Sequence, residues 1–317
     1  MNKIIQFKKK IFTRDNIGYL MIFAAGCLWG TIGLFVNLLN SAGADTTLTA
    51  FMRMFMGCLI LIPIMLHKGG VSLFKIDKKG LSQCFMLGIL SQALFNYSYI
   101  TSIRSVGIAT AAILLYTAPV FVAIMSRMLF KESIGRIKIL ALIINIVGCF
   151  LMVTGGNLSN IKLSAAGIFF GVAAGFLYSL VTIIGKSTSG DIHPFTVVFY
   201  GFLFGGIAIG IFTSPWESIK TVSGLKFWIY SFGYGLIPTV GSYLLYLGGL
   251  RKQIEISKTP VIASVEIVVA TLIGIIVFEE GLNFINMLGI IIIFSSIVII
   301  NMKTPYDGAT YEGARHQ

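Results

Sequence analysis

Ten apolar runs fill most of this chain, at residues 17–39, 46–66, 81–101, 107–129, 134–154, 164–185, 194–213, 226–248, 257–278 and 282–301. A spanning helix takes about 20 apolar residues, so each run is long enough to cross a bilayer. Only 11% of the 317 residues are charged against 56% hydrophobic, and the mean hydropathy is +0.90. A water-soluble domain usually carries about 25% charged residues. Soluble enzyme, secreted module and disordered chain are therefore excluded. The fold class expected is an all-α polytopic membrane protein with ten transmembrane helices and no sizeable extramembrane domain.

The net charge of +12 would suggest a nucleic-acid partner in a soluble chain. Here it belongs to the loops, and no nucleic acid is expected. With the N-terminus inside, the inner segments hold 19 Lys and Arg and the outer segments four, with Arg53 inside a span. Basic residues gather on the cytoplasmic side, so both termini are expected in the cytoplasm. Residues 17–39, preceded by Lys8, Lys9, Lys10 and Arg14 and followed by Ala42-Gly43-Ala44, could pass for a signal peptide. The run is long for a signal core and contains Trp29, so it is read as a retained span. Cys27, Cys58, Cys84 and Cys149 lie in apolar runs with no CxxC and are read as small apolar fillers. Asn157-Leu158-Ser159 is a glycosylation sequon in an outer loop, and the polar tail from Thr304 is expected to be disordered.

The chain also repeats itself. Trp29-Gly30 to Asn37 matches Tyr178-Ser179 to Lys186, Leu48-Thr49 matches Phe195-Thr196, and Ala118 to Glu132 matches Glu266 to Glu280. The offset stays close to 148 residues. Each half holds five spans, an odd number, so the second half is expected to lie upside down relative to the first. The division is 1–16 as a cytoplasmic segment, 17–154 and 164–301 as the two repeats, and 302–317 as a cytoplasmic tail. Inverted repeats build transporters that rock around a central site.

Several stretches resemble the drug/metabolite transporter superfamily, EamA type. They are Ala24-Ala25-Gly26-Cys27-Leu28-Trp29-Gly30, Phe51-Met52-Arg53, Thr117-Ala118-Pro119-Val120 to Glu132, and Ser264-Val265-Glu266-Ile267-Val268-Val269-Ala270. Ile267 stands where that pattern has proline, which puts a kink there in question. The resemblance covers about residues 17–301. It implies ten helices around a central cavity and export of a small metabolite, without naming the metabolite.

Glu266 falls near mid-bilayer, where an ionised acid costs about 2.5–3.5 kcal/mol on insertion scales. It is the candidate proton carrier, with a structural hydrogen-bonded acid as the alternative. Arg53 is the other charge within a span. It could neutralise Glu266, bind an anionic group or snorkel, and the resemblance favours a structural or gating role. Gln92, Asn96 and Tyr99 share one face of the third span, and Thr239, Ser242, Tyr243 and Tyr246 one face of the eighth. These faces are expected to oppose each other across one cavity, with helix–helix adhesion as the alternative. Trp29, Tyr116, Tyr178 and Tyr200 are ring candidates for an amphipathic solute. The substrate-binding set is therefore Trp29, Gln92, Asn96, Tyr99, Tyr116, Tyr178, Ser242 and Tyr246, with Glu266 and Arg53 as the charge network. The pairs Gly26/Gly30, Gly171/Gly175, Gly201/Gly205 and Gly206/Gly210 are read as close helix contacts, and Pro119 and Pro238 as kinks. Glu132 and Glu280 end the fourth and ninth spans as interfacial caps or pairs.

No nucleotide-binding loop is encoded, and no cofactor or metal is expected. His67, His193 and His316 lie outside the spans, and GxSxG and HExxH are absent, against an intramembrane enzyme. A channel would show charge rings or a carbonyl filter. The expected function is a proton-coupled exporter of amino acids or similar zwitterions in the plasma membrane, with the solute and the bilayer as partners, and a monomer by default. A multidrug-like exporter of lipophilic cations is the alternative.

Overall fold

In hydrocarbon a backbone N–H or C=O has no water to bond, so apolar runs of this length must satisfy themselves as helices. The computed structural model describes residues 14–302 apart from 159, 160, 162, 221 and 223. The expectations for the first 13 residues, the sequon's Ser159, Lys162 and the tail from Lys303 lie outside the described residues. Among the described residues every regular element is helical.

The first span is broken into α1 (Arg14–Trp29) and α2 (Ile32–Ser41). Helix α3 (Thr46–Gly69) follows. Helix α4 (Lys78–Gly88) runs through a π turn at Ile89–Leu94 into α5 (Phe95–Leu115), and α6 (Ala118–Phe130) and α7 (Arg136–Thr154) complete the first half. The second half holds α8 (Ala165–Ser187), α9 (Pro194–Thr213) and the short α10 (Trp216–Ile219). Helix α11 (Leu225–Tyr234) then leads through a π turn at Gly235–Gly241 into α12 (Ser242–Leu250). The chain ends in α13 (Thr259–Ala263), α14 (Val265–Phe278) and α15 (Phe284–Ile300). Among the described residues seven stretches are long and apolar enough to cross a membrane, and α6 and α15 are shorter apolar helices.

The expected loop between the third and fourth spans is not a loop. The helical path is continuous from Lys78 to Leu115 apart from Gly107, whose φ of 83° and ψ of 166° break it. The interruption of the fourth run falls instead at Tyr116 and Thr117. Ile267 does not prevent a break in the ninth run, because the turn forms three residues earlier at Ser264, between α13 and α14. Pro119 and Pro260 occupy first-turn positions of α6 and α13, where a missing N–H costs nothing. Pro238 sits inside the second π turn.

Local features recur at nearly the spacing of the sequence repeat. The two π turns begin at Ile89 and Gly235. Lys131 and Glu279 end α6 and α14 in the left-handed region, at φ 56° and 54°. Asp45 caps α3 by accepting from Leu48 N–H at 2.7 Å, and His193 caps α9 by accepting from Phe195 N–H at 3.3 Å.

Packing follows the small residues. Gly26 of α1 lies so close to α13 that an added Cβ would stand 2.6 Å from the Ala263 carbonyl oxygen. Gly175 of α8 makes the matching approach to the end of α5, 3.1 Å from the Leu114 carbonyl oxygen. Met52, Leu61, Phe202 and Leu250 fill the interior. Outward-facing apolar side chains such as Phe212, Ile276 and Phe169 are 67–82% exposed, the surface of a chain whose exterior solvent is lipid.

Gly26→Leu or Gly175→Leu is expected to destabilise the folded chain by about 1–3 kcal/mol through overpacking against backbone, read as a lower melting temperature in detergent. Gly33→Ala, with open space around the added methyl, is the control. The His193 cap requires a neutral imidazole. Partial burial, with Arg251 and Lys68 nearby, holds its pKa below the ordinary histidine value. Its contribution is therefore complete above the ordinary value and lost as pH falls through the lowered one. Melting temperature is expected to drop over that acid range, and His193→Ser, which caps at any pH, to weaken the drop.

Candidate functional site

Three helix breaks converge at the centre of the molecule: Gly30–Thr31 after α1, Tyr116–Thr117 before α6, and Ser264 before α14. Each is stabilised locally. Thr31 Oγ1 donates to Leu28 O at 2.7 Å, Thr117 Oγ1 to Leu114 O at 2.7 Å, and Ser264 Oγ to Val261 O at 2.6 Å. Irregular backbone at membrane depth persists only where it is buried in protein or lines a cavity. Here it lines a small cavity of about 20 Å³, room for about one water. Trp29, Tyr116, Tyr178, Thr182, Tyr246, Ser264 and Glu266 supply its polar groups and rings, and Pro119, Val122 and Pro260 its apolar floor.

Glu266 lies in the first turn of α14, the helix end that favours negative charge. Tyr116 Oη donates to Oε1 and Tyr178 Oη to Oε2, both at 3.5 Å. These are long bonds for a carboxylate, so it is held loosely. The Ser264 hinge beside it is braced from α7 and α15. Asn145 Nδ2 donates to Ser264 Oγ at 2.7 Å and to Ser296 Oγ at 3.0 Å.

Trp29 is 4% exposed, and its indole N–H has no hydrogen-bond partner. Its ring meets Tyr178 at 6.2 Å, Tyr243 at 5.5 Å and Tyr246 at 4.9 Å between centroids. Tyr178 in turn meets Phe95 at 5.6 Å. Tyr246 Oη is paired with Thr182 Oγ1 at 2.6 Å and approaches Thr259 Oγ1 at 3.3 Å. The centre is thus an aromatic box with one carboxylate on its wall and one unpaired N–H donor. Such a box suits a cationic amine by ring-face attraction and charge together.

Trp29, Tyr116, Tyr178, Tyr246 and Glu266 come together at this cavity; Gln92, Asn96, Tyr99, Ser242 and Arg53 lie outside its lining. The polar faces of the third and eighth spans meet directly rather than across open space, since Gln92 Nε2 donates to Tyr243 Oη at 2.7 Å. Asn96 Nδ2 donates back to Gln92 O at 2.6 Å, and Ser242 Oγ to Pro238 O at 2.5 Å. Both carbonyls lie within the π turns. Tyr99 stacks on Phe95 at 5.8 Å. Tyr200 is remote from the cavity, its hydroxyl donating to Phe74 O at 2.7 Å. Arg53 makes no ion pair with Glu266. Its guanidinium lies 5.9 Å from the centre of the Tyr243 ring, and its Nε is buried without a hydrogen-bond partner.

Asn145, Thr182, Thr259 and Ser264 were not among the sequence candidates. Asn145 carried a readable signal, a lone amide in the middle of an apolar run. The three hydroxyls carried none, because Ser and Thr satisfy themselves on their own helix and are common in spans.

The chain resembles known proteins along nearly its whole length. It is 29% identical over 286 residues to an uncharacterized transporter of Archaeoglobus fulgidus, covering 89% of this chain and 95% of that protein. It is 23% identical over 292 residues to the uncharacterized inner membrane transporter YicL of Salmonella typhimurium, covering 90% and 96%. A solved crystal structure superposes with a TM-score of 0.75 at 15% identity, over 90% of this chain and 96% of that one, which speaks to the fold alone. The EamA-like transporter family matches residues 16–154 and 165–302. With both halves of the chain matched, this protein belongs to the EamA-like transporter family.

Proposed function

We propose that this transporter is a secondary exporter of amino acids or similar zwitterions, proton-coupled through Glu266 and working as a monomer in the plasma membrane with both termini cytoplasmic. Ten spans form two inverted five-span repeats, 17–154 and 164–301, that give alternating access to the central cavity. The paired π turns and the matching left-handed caps at Lys131 and Glu279 support the repeat. The Salmonella relative's description as an inner membrane protein supports the location.

The observation that carries the reading is the loosely held, partly exposed Glu266 carboxylate in the wall of an aromatic box. A carboxylate there holds either a proton or the ammonium group of a solute. Exchange of one for the other on opposite sides of the membrane yields net antiport. Arg53, with no anionic partner in ion-pair distance among the described residues, supplies the opposite charge for a carboxylate.

The same box favours a second reading. Four rings line the cavity and Arg53 does not, so a lipophilic cation would be held without any anionic end.

Two experiments separate these. Glu266→Gln is expected to abolish pH-driven solute movement in reconstituted vesicles while leaving the protein folded; undiminished transport would refute proton coupling at this residue. Arg53→Gln is expected to raise the KM for a zwitterion about tenfold or more, the loss of a charge-assisted bond, and to leave a lipophilic amine unaffected. Amine transport together with failure to move amino acids in the unmutated chain would establish the second reading instead. Analysis of the medium of expressing cells against cells carrying Glu266→Gln identifies the solute.

A further inference from the structure

The two ends of the molecule differ. At the end rich in Lys and Arg, α6 is clamped to the segment entering α13. The Glu132 carboxylate accepts from Ile256 N–H at 2.5 Å and from Ser257 N–H at 2.9 Å. Glu255 beside them pairs with Lys258 at 2.8 Å and also with Lys138, and its N–H donates to Tyr19 Oη at 3.1 Å. Lys186 Nζ donates to Leu250 O at 3.0 Å. Ile256, Ser257 and Lys258 are all at least nine-tenths buried.

The opposite end holds the same parts unassembled. Glu280 follows α14 as Glu132 follows α6. Both come after a left-handed residue, and their N–H groups return to Gly274 O at 3.1 Å and Ser126 O at 3.3 Å. Yet Glu280 is exposed, its carboxylate folded back over Gly274. The repeat spacing of 148 residues maps Ile256 and Ser257 onto Ile108 and Ala109. Ile108 is 72% exposed, and a methyl added at Gly107 would meet nothing within 4 Å.

We infer that Glu132 and Glu280 are alternate latches of the transport cycle. Glu132 holds the basic end shut on Ile256 and Ser257, and Glu280 shuts the other end by accepting from the Ile108 and Ala109 N–H groups after Glu132 has let go. The inference rests on the two-repeat, alternating-access reading above. Gly107 supplies the turn that Glu255 supplies at the basic end. The second latch lacks an ionic brace, because the positions matching Lys138, Glu255 and Lys258 are Asn286, Gly107 and Thr110. Closure of the basic end is therefore the resting arrangement.

The test uses full-length protein in proteoliposomes and a membrane-impermeant maleimide, with the four native thiols in their apolar surroundings as background. Single reporters are Ser257→Cys and Ile108→Cys. In the unmutated latch background Ile108→Cys is labelled and Ser257→Cys protected. Glu132→Gln is expected to raise labelling at Ser257→Cys about tenfold, the population shift from one lost charge-assisted bond, and to protect Ile108→Cys. Glu132→Asp, with shorter reach, moves both in the same direction. Adding Glu280→Gln, which removes a group exposed in this structure, then restores labelling at Ile108→Cys. If Glu132→Gln changes neither reporter, or if Ile108→Cys stays protected in the double variant, the latch assignment is overturned. If both reporters are labelled in the Glu132→Gln variant with Glu280 intact, the ends do not alternate, and the access reading beneath the proposal fails with it.

Discussion

The absence of water in the bilayer governs everything else in this protein. Backbone groups must find partners within the protein, so departures from helix are confined to places where neighbouring elements compensate. The breaks at Thr31, Thr117 and Ser264 are each closed by a hydroxyl donating to a carbonyl of the preceding turn. Asn96, Thr239 and Ser242 likewise donate from their side chains to carbonyls in or just before the π turns. Because the breaks converge, one small region of the molecule concentrates polar side chains and irregular backbone, and that region is the candidate site.

The same constraint makes the charges informative. At the basic end, Glu132 and Glu255 are fully engaged by N–H groups and lysines. At the centre, Glu266 has only two long tyrosine bonds and Arg53 only an aromatic face. Satisfied charges hold a structure together, whereas under-satisfied ones at membrane depth are costly and mark a route for ions or solutes. The aromatic box around Glu266 also limits the solute. With room for about one water as it stands, it must open to admit any larger solute.

Duplication shaped the scaffold of the site but not its charges. Trp29 and Tyr178 occupy matching positions and face each other, and the contacts Tyr243–Trp29 and Phe95–Tyr178 are counterparts. Glu266 has no such counterpart, since Ala118 stands at the matching position. A single acid serves a cavity built from two halves, and the ionic brace at Glu255 likewise belongs to one end alone.

By itself the sequence determined the helical membrane class, the positions of the apolar runs, the duplication, and Glu266 and Arg53 as the charges to watch. These depend on hydropathy and spacing, which are local properties. It also led to Trp29, Tyr116 and Tyr178 as rings within spans, and to Tyr246 through the polar face of the eighth span. Only the tertiary structure decided that the fourth run breaks at Tyr116 rather than beginning after a loop. It alone decided that Gln92 is tied to Tyr243 instead of lining the cavity, that Asn145 braces Ser264, and that Glu132 grips a backbone 124 residues away. Each of these is a partnership between distant segments, and a polar residue within a span shows its need for a partner without showing which helix will bring one.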